Sequence, residues 1–279
     1  MADDNSDRGL ALPPLRDVIR AHGLRAEKSL GQNFLLDLNI TEKIVRLSGV
    51  TPPLNIIEIG PGPGGLTRAL LNSPAQKIVA VEFDPRAVAA LEALKTHYGG
   101  RLDIIAQDAL TLDPCDLVPT PRAIIANLPY NISVPLLLRW LRTLHENAAS
   151  YQFFSLMFQK EVAERITAKP GTKDYGRLSV MAQWLCEIKK LFDLPPSAFT
   201  PPPKVSSTIV HFKPRILTAP QPKFETMEQI LQSAFGQRRK MIRGSLSGYA
   251  AALEKSGIDS TLRAEDLTSD QYLQLALLS

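Results

Sequence analysis

Asn55-Ile-Ile-Glu-Ile59-Gly60-Pro61-Gly62-Pro63-Gly64-Gly65 is a short, almost wholly apolar run that breaks into glycines. A strand apolar on both faces, a glycine loop and then the helical pattern of Leu66 to Leu71 describe the strand-loop-helix corner of a nucleotide-binding α/β fold. Downstream, Lys77-Ile-Val-Ala-Val81 is a second strand of the same kind. Pro85 then opens a helix running through Ala87 to Leu94, with Asp84 as its N-cap. Leu102 to Ala106 and Arg122 to Ala126 are two more buried-type strands, the second followed by a helix from about Ser133 to Leu144. Alternating β and α elements with doubly apolar strands predict a parallel sheet covered on both sides.

Tyr151 to Phe158 is a candidate fifth strand, Lys160 to Thr167 a helix, residues 168–176 a polar loop, and Leu178 to Trp184 another helix. Cys186 to Leu194 and Ser206 to Lys213 read as a strand pair returning without a helix, which adds an antiparallel edge. Before the glycine loop, Leu15, Val18 and Ile19 mark a short helix that stops at Gly23. A basic stretch from Arg25 then leads to a helix from about Thr41 to Leu47. After the proline-containing segment from Pro214 to Pro222, the spacing is helical throughout (Met227 to Phe235, Met241 to Leu246, Tyr249 to Ser256, Asp270 to Leu278). The expected organisation is an N-terminal extension (1–24), a Rossmann-like α/β domain (25–215) and a small all-α C-terminal domain (216–279).

Two unequal units suit a length of 279 residues, and 44% hydrophobic with 22% charged residues is the composition of a soluble globular protein. No apolar window approaches the roughly 18 residues of a membrane span, and the polar start MADDNSDRGL is no secretory leader. Cys115 and Cys186 stand far apart in no C-x-x-C spacing, and His22, His97, His145 and His211 are scattered, so no metal site is expected and the cytosol is the natural compartment. The 32 basic against 28 acidic residues leave a small surplus that a polyanionic partner would explain, though many unrelated proteins share it.

The glycine loop suits either a dinucleotide or S-adenosylmethionine. A pyrophosphate needs convergent backbone N–H donors, and Pro61 and Pro63 have none to give. S-adenosylmethionine has no phosphate, so the donor count favours it without excluding NAD. Glu82, at the end of the second strand, can accept hydrogen bonds from both ribose hydroxyls of either cofactor. Asp108, at the end of the third, can accept from the exocyclic amine of the cofactor's adenine or simply close a strand-end turn.

Asn127-Leu128-Pro129-Tyr130 follows the fourth strand. The lone pair of an aromatic exocyclic amine is delocalised into its ring. The amide oxygen of Asn127 and the backbone carbonyl of Leu128 can accept its two N–H bonds, localising that pair and aiming it at an electrophilic carbon. Pro129 stiffens the turn and Tyr130 offers a face to an extruded base. No strong general base is required, and positioning supplies most of the acceleration. The bland alternative is a β-turn that starts a helix.

This motif resembles the N-[IL]-P-[YF] signature of amine-directed methyltransferases. With Ser29-Leu-Gly-Gln-Asn-Phe-Leu35, Glu58-Ile-Gly-Pro-Gly62 and Phe199-Thr-Pro-Pro-Pro-Lys-Val-Ser-Ser207, the chain from about residue 25 resembles the small-subunit ribosomal RNA adenine N6,N6-dimethyltransferase family. The resemblance implies a Rossmann-like class I S-adenosylmethionine-dependent methyltransferase domain. It also implies four methyl transfers onto two adjacent adenines, in a hairpin loop near the 3′ end of small-subunit ribosomal RNA in the 30S subunit. By motif, Asn33, Leu35, Gly60, Glu82, Asp108 and Asn127 would line the cofactor site. Asn127, Leu128 and Tyr130 would address the target base, and Phe199 would stack on its other face. Read without the resemblance, Phe199 is a core aromatic. The loop departs slightly from the pattern, with Pro63 where a bulkier residue is common.

Three other readings stand beside this one. A resistance-type methylase of large-subunit RNA shares the superfamily, but the full SLGQNFL and FTPPPKV runs favour the small-subunit enzyme. A non-catalytic RNA-binding assembly factor would not need both motifs intact. An NAD-dependent oxidoreductase lacks an evident hydride-transfer acid or base. For RNA docking, Arg238, Arg239, Lys240 and Arg243 form the densest basic cluster, expected on one face at the start of a C-terminal helix. Arg25, Lys28, Lys173, Arg177 and Lys204 are expected to extend it around the site's mouth. A monomer is expected.

Overall fold

The apolar runs pair as their composition requires. The computed structural model describes residues 12–25, 33–218 and 220–279. Its first half runs α1 (Leu15–Ala21), β1 (Phe34–Leu35), α2 (Leu38–Ser48), β2 (Asn55–Ile59), α3 (Gly65–Leu71), β3 (Lys77–Glu82), α4 (Pro85–His97) and β4 (Leu102–Ala106). Next come β5 (Arg122–Ala126), α5 (Tyr130–Glu146), β6 (Phe154–Gln159), α6 (Lys160–Thr167), α7 (Arg177–Leu185), β7 (Cys186–Leu194), β8 (Phe199–Thr200) and β9 (Ser207–Pro214). The chain finishes with α8 (Phe224–Gly236), α9 (Ile242–Ser245), α10 (Ala250–Ser256) and α11 (Ser269–Leu277).

Seven strands form one sheet in the order β4-β3-β2-β5-β6-β9-β7, and β1 pairs with β8 in a separate two-stranded ribbon. β4 through β6 are mutually parallel, whereas β9 runs antiparallel to β6 and β7, giving the expected antiparallel edge. The order reverses at β2 and β5, so the loops leaving these neighbouring strands splay apart. That crevice is where an open α/β sheet binds ligands. One face of the sheet buries Ile57, Val79 and Ile124 against α5 and α7; the other buries Ile56, Ile78 and Ala123 against α2, α3 and α4.

The element limits hold to within a few residues, with informative exceptions. α5 begins at Tyr130 rather than near Ser133, because Pro129 takes the N-cap position with φ −56° and hands the chain directly into helix. Tyr130 is therefore held on a first helical turn and not in a free loop. Residues 12–24, expected as an extension outside the catalytic unit, pack on it. Val18 and Leu24 cluster with Phe34, Ala87 and Ala90, and Arg68 donates to the carbonyl of Pro13 at 2.8 Å. The C-terminal helices share a core with the α5 side of the sheet, through Phe224, Met227 and Ile230. At that junction Arg142 forms ion pairs with Glu225 and with Glu228, the latter at 2.8 Å.

The expectation that the basic cluster opens a helix is corrected. Arg238, Arg239 and Lys240 lie in the turn between α8 and α9, closed by Lys240 N–H donating to the Gln237 carbonyl at 2.8 Å, and only Arg243 is helical. Gly236 and Gln237 end the preceding helix, which places the cations in the turn after it.

Candidate active site

β2 delivers the glycine loop and β5 delivers Asn127 to adjacent points of the crevice, and their side chains and backbones line one cleft with Asn33, Leu35, Glu58, Glu82 and Tyr130. Gly60, Gly62 and Gly64 all have positive φ (68°, 55° and 87°), a conformation that side chains other than glycine rarely adopt. The segment after residue 32 seals the loop from the outside. A Cβ on Gly62 would sit 3.1 Å from the Phe34 ring, and one on Gly65 would sit 2.5 Å from the carbonyl oxygen of Leu35. This is how the Asn33 and Leu35 end of the SLGQNFL segment reaches the site; residues 29–32 of that segment, and Lys28, lie outside the described residues.

Asn127 has a defined orientation. Its Nδ2 donates to the backbone carbonyl of Asn33 at 3.2 Å. A carbonyl can only accept, so the amide group's NH2 faces Asn33 and Oδ1 is the free acceptor. Among the described residues nothing donates to that oxygen. Leu128 is buried and Tyr130 half-buried, both lining the same cleft.

Glu82 is already well occupied. Its Oε2 accepts from Gly62 N–H at 3.0 Å, and its Oε1 from the N–H groups of Phe83 at 2.7 Å and Asp84 at 2.9 Å. A carboxylate offers about four acceptor sites. Three backbone donors leave about one, on the Oε2 side, so room remains for one hydroxyl where two were expected. Burial raises the Glu82 carboxyl above its ordinary range, and the three backbone bonds oppose the shift.

Glu58 stands in the Glu58-Ile-Gly-Pro-Gly62 motif without an expected role. It is 1% exposed and lines the cleft, and its Oε2 has no hydrogen-bond partner among the described residues. Desolvation pushes its carboxyl up to about 8, opposed by the nearby Thr67 hydroxyl and reinforced by the charge of Glu82. The signal was legible, since a lone acid in the strand NIIEI, apolar on both faces, must either find a partner or serve a ligand.

Two expected site residues are not among those lining this cleft. Asp108 is exposed at the end of β4 and does not line the cleft; its Oδ1 accepts from Leu110 N–H at 2.9 Å, so it closes a turn. Phe199 is 3% exposed and packs in the core with Leu35. The β1–β8 pairing sets Phe199 opposite Leu35, which turns its ring inward, so the stacking face expected from it is not presented to the cleft in this structure. Instead Phe83, just after Glu82, is 67% exposed, an aromatic that the sequence reading passed over.

In the basic region, Arg238 pairs with Glu265 and donates to the Thr172 carbonyl at 3.2 Å, so its guanidinium joins the C-terminal turn to the 168–176 loop. That bond brings the Lys173 loop beside the cluster. Arg239, Lys240 and Arg243 are exposed, as are Arg25, Lys173, Arg177 and Lys204. Among the described residues no group of His, Cys, Asp or Glu is placed to hold a metal ion, and no helix is long and apolar enough to cross a membrane.

The profile of the family described as "Ribosomal RNA adenine dimethylase" matches residues 23–278. The protein named ribosomal RNA small subunit methyltransferase A of Rhodospirillum rubrum is 51% identical over 271 residues, covering 96% of this chain and 93% of the relative. Its namesake from Mesorhizobium japonicum is 50% identical over 95% of this chain and 97% of its own length. Among solved structures, a dimethyladenosine transferase from Plasmodium falciparum superposes with a TM-score of 0.72 at 26% identity, covering 86% of this chain and 95% of that one. The 23S rRNA methyltransferase ErmE superposes with a TM-score of 0.66 at 27% identity, covering 88% and 99%. The match over nearly its whole length places this protein in the ribosomal RNA adenine dimethylase family.

Proposed function

We propose that this protein transfers methyl groups from S-adenosylmethionine to the N6 amines of two adjacent adenines in the 3′-terminal hairpin loop of small-subunit ribosomal RNA. It would act as a cytoplasmic monomer on the 30S subunit during ribosome biogenesis. The observation that carries this reading is the fixed amide of Asn127, with its NH2 committed to Asn33 and its Oδ1 left open in a glycine-lined cleft.

The residues present suit the methyl donor. The buried Glu58 carboxyl, which a cationic ligand would draw into its charged form, and a second buried acid in Glu82 would give such a ligand two counter-charges. Gly60 and Gly62 let the backbone pass close to it, Glu82 retains an acceptor for a ribose hydroxyl, and Asn33 and Leu35 close the cleft. Phe83 and Asp108, exposed just beyond the ends of adjacent strands β3 and β4 and outside the lining of the cleft, would meet the adenine ring and its amine where the ligand extends past that lining. Bound S-adenosylmethionine supplies an electrophilic methyl carbon. Asn127 Oδ1 and the Leu128 carbonyl then accept the two N–H bonds of the target amine and turn its lone pair toward that carbon. The Tyr130 ring provides the platform for the extruded base. The amine proton becomes acidic once nitrogen carries the methyl group and leaves to water. Arg239, Lys240 and Arg243, within a C-terminal docking unit of residues 216–279, would meet RNA phosphates.

Incubation with labelled S-adenosylmethionine and small subunits lacking the modification tests the reading. Four methyls on two adenines are expected. Label confined to large-subunit RNA would reassign the substrate.

A further inference from the structure

The Tyr130 hydroxyl lies 2.7 Å from Ser207 Oγ, a hydrogen bond between residues 77 positions apart. Tyr130 opens α5, and Ser207 opens β9. Ser207 is fully buried, and its backbone sits between two strands, opposite Gln159 of β6 and Leu194 of β7. Its surroundings are tied as well. Thr208 Oγ1 donates to Asp193 Oδ1 at 2.7 Å, Asp193 forms an ion pair with Lys160 at 3.0 Å, and Lys160 N–H donates to the Ser206 carbonyl at 2.9 Å. The start of α6, the end of β7 and the start of β9 thus form one fixed seat. A half-buried tyrosine on a first helical turn would otherwise keep torsional freedom about its Cα–Cβ bond. Bonding its tip to the interior strand β9 fixes the direction of the ring axis, and so where the ring stands relative to Asn127.

We propose that Ser207 is a positioning residue for methyl transfer: it holds the Tyr130 ring at the position where the target base stacks, without touching that base. The proposal rests on the stacking role assigned to Tyr130 above. Because the hydroxyl is spent on Ser207, Tyr130 presents its ring face and not a polar tip to the base. Burial raises the phenol above its ordinary range, so it stays protonated and the bond persists across the working pH.

The test is a double-mutant cycle on small subunits lacking the modification, using Tyr130→Phe, Ser207→Ala and the double variant. Each single change removes one neutral hydrogen bond and is expected to lower kcat about five- to tenfold. The KM for S-adenosylmethionine should stay within twofold, and the double variant should be no slower than the slower single one. A fluorescent adenine analogue at the target position should lose its stacking quench in both singles, and Ser207→Thr, which keeps the hydroxyl, should restore it. Multiplicative losses in the cycle would overturn the proposal, as would full kcat and full quench in Tyr130→Phe, a variant that leaves the buried strand untouched. No transfer by the unaltered protein would reject the parent reading and the proposal with it, whereas transfer with an additive cycle rejects the proposal alone.

Discussion

Asn127 Nδ2 donates to the backbone carbonyl of Asn33 across a separation of 94 residues, and this one bond decides which end of the amide meets the substrate. Replacing Asn127 with Ala removes the acceptor for the target amine. Transfer should fall about 100-fold or more, by analogy with the loss of one preorganised polar group elsewhere. The melting free energy should change by only about 1 kcal/mol, the net value of one partly exposed hydrogen bond. Asn127→Asp keeps an acceptor but offers Asn33 no N–H, and should also be slow. Methyl incorporation beside thermal melting checks both, and normal dimethylation by the Ala variant would end the amine-positioning mechanism.

Gly65 and Gly244 both sit in helices, yet alanine should act oppositely at the two. In a helix the change ordinarily gains up to about 1 kcal/mol. At Gly244 the new methyl meets only the Lys240 side chain at 3.8 Å, so the gain should be seen. At Gly65 it would lie 2.5 Å from the Leu35 carbonyl oxygen and 3.2 Å from the Leu15 side chain. Backbone must move, at an expected cost of about 1–3 kcal/mol. The segment carrying Asn33 would move with it, so the KM for S-adenosylmethionine should rise. Denaturant titration and steady-state kinetics of the two variants make the comparison.

Glu58 should make stability fall as pH rises. Its carboxyl titrates at about 8 when folded against an ordinary value of 4.5, so the native state binds the proton more tightly. Below about pH 4.5 this group costs nothing. Between there and pH 8 folding must increasingly pay for burying its charge, to a limit of roughly 5 kcal/mol from 1.36 kcal/mol per pH unit. Glu58→Gln should be more stable than the natural protein at pH 8 and nearly equal to it at pH 5, in denaturant titrations at both. A pH-independent difference between the two would show that the carboxyl ionises freely. A cationic cofactor should pull the titration down and release protons on binding, read as a buffer-dependent heat.

The fold was legible because its inner strands are buried on both faces, and Asn55 to Ile59 and Arg122 to Ala126 announce themselves by composition alone, whereas Leu102 to Ala106, expected to be buried in the same way, is an edge strand with only Leu102 buried. The place of the site was legible as well, since glycines and Asn127 follow strands that any parallel sheet brings side by side. What the sequence hid was long-range closure. Nothing local shows that Asn33 would orient Asn127, that Ser207 would hold Tyr130, or that α1 would pack against α4 and bring Leu15 to Gly65 at the start of α3. Phe199 shows the limit most clearly, because a motif carries a residue type but not the direction its side chain takes once β8 pairs with β1.

Phe199 offers its own discrimination. A ring with 3% exposure, packed with Leu35, predicts that Phe199→Ala costs about 3–5 kcal/mol of stability. Phe199→Leu keeps most of the volume and should cost less than half as much. If the ring serves only the core, the Leu variant should retain nearly full kcat. A Leu variant that melts normally yet loses transfer would show that the ring turns outward to the base during catalysis.

The turn after α8 divides its cations between two tasks. Arg238 is committed to Glu265 and to the Thr172 carbonyl, and Gly171 N–H donates to the Glu265 carbonyl at 2.7 Å, so this side chain braces the 168–176 loop. Arg239 and Arg243 are exposed and carry no such ion pair among the described residues. Removing one cation that meets a phosphate should make the slope of log affinity against log salt shallower by about 1. The pair Arg239→Ala and Arg243→Ala should therefore flatten the slope for small-subunit binding by about 2 and leave melting unchanged. Arg238→Ala should leave the slope alone and cost no more than about 1 kcal/mol, because its ion pair is partly solvent-exposed. An unchanged slope in the double variant would return the cluster to ordinary solvated surface, and a flattened slope in Arg238→Ala would show that its guanidinium leaves Glu265 to meet RNA.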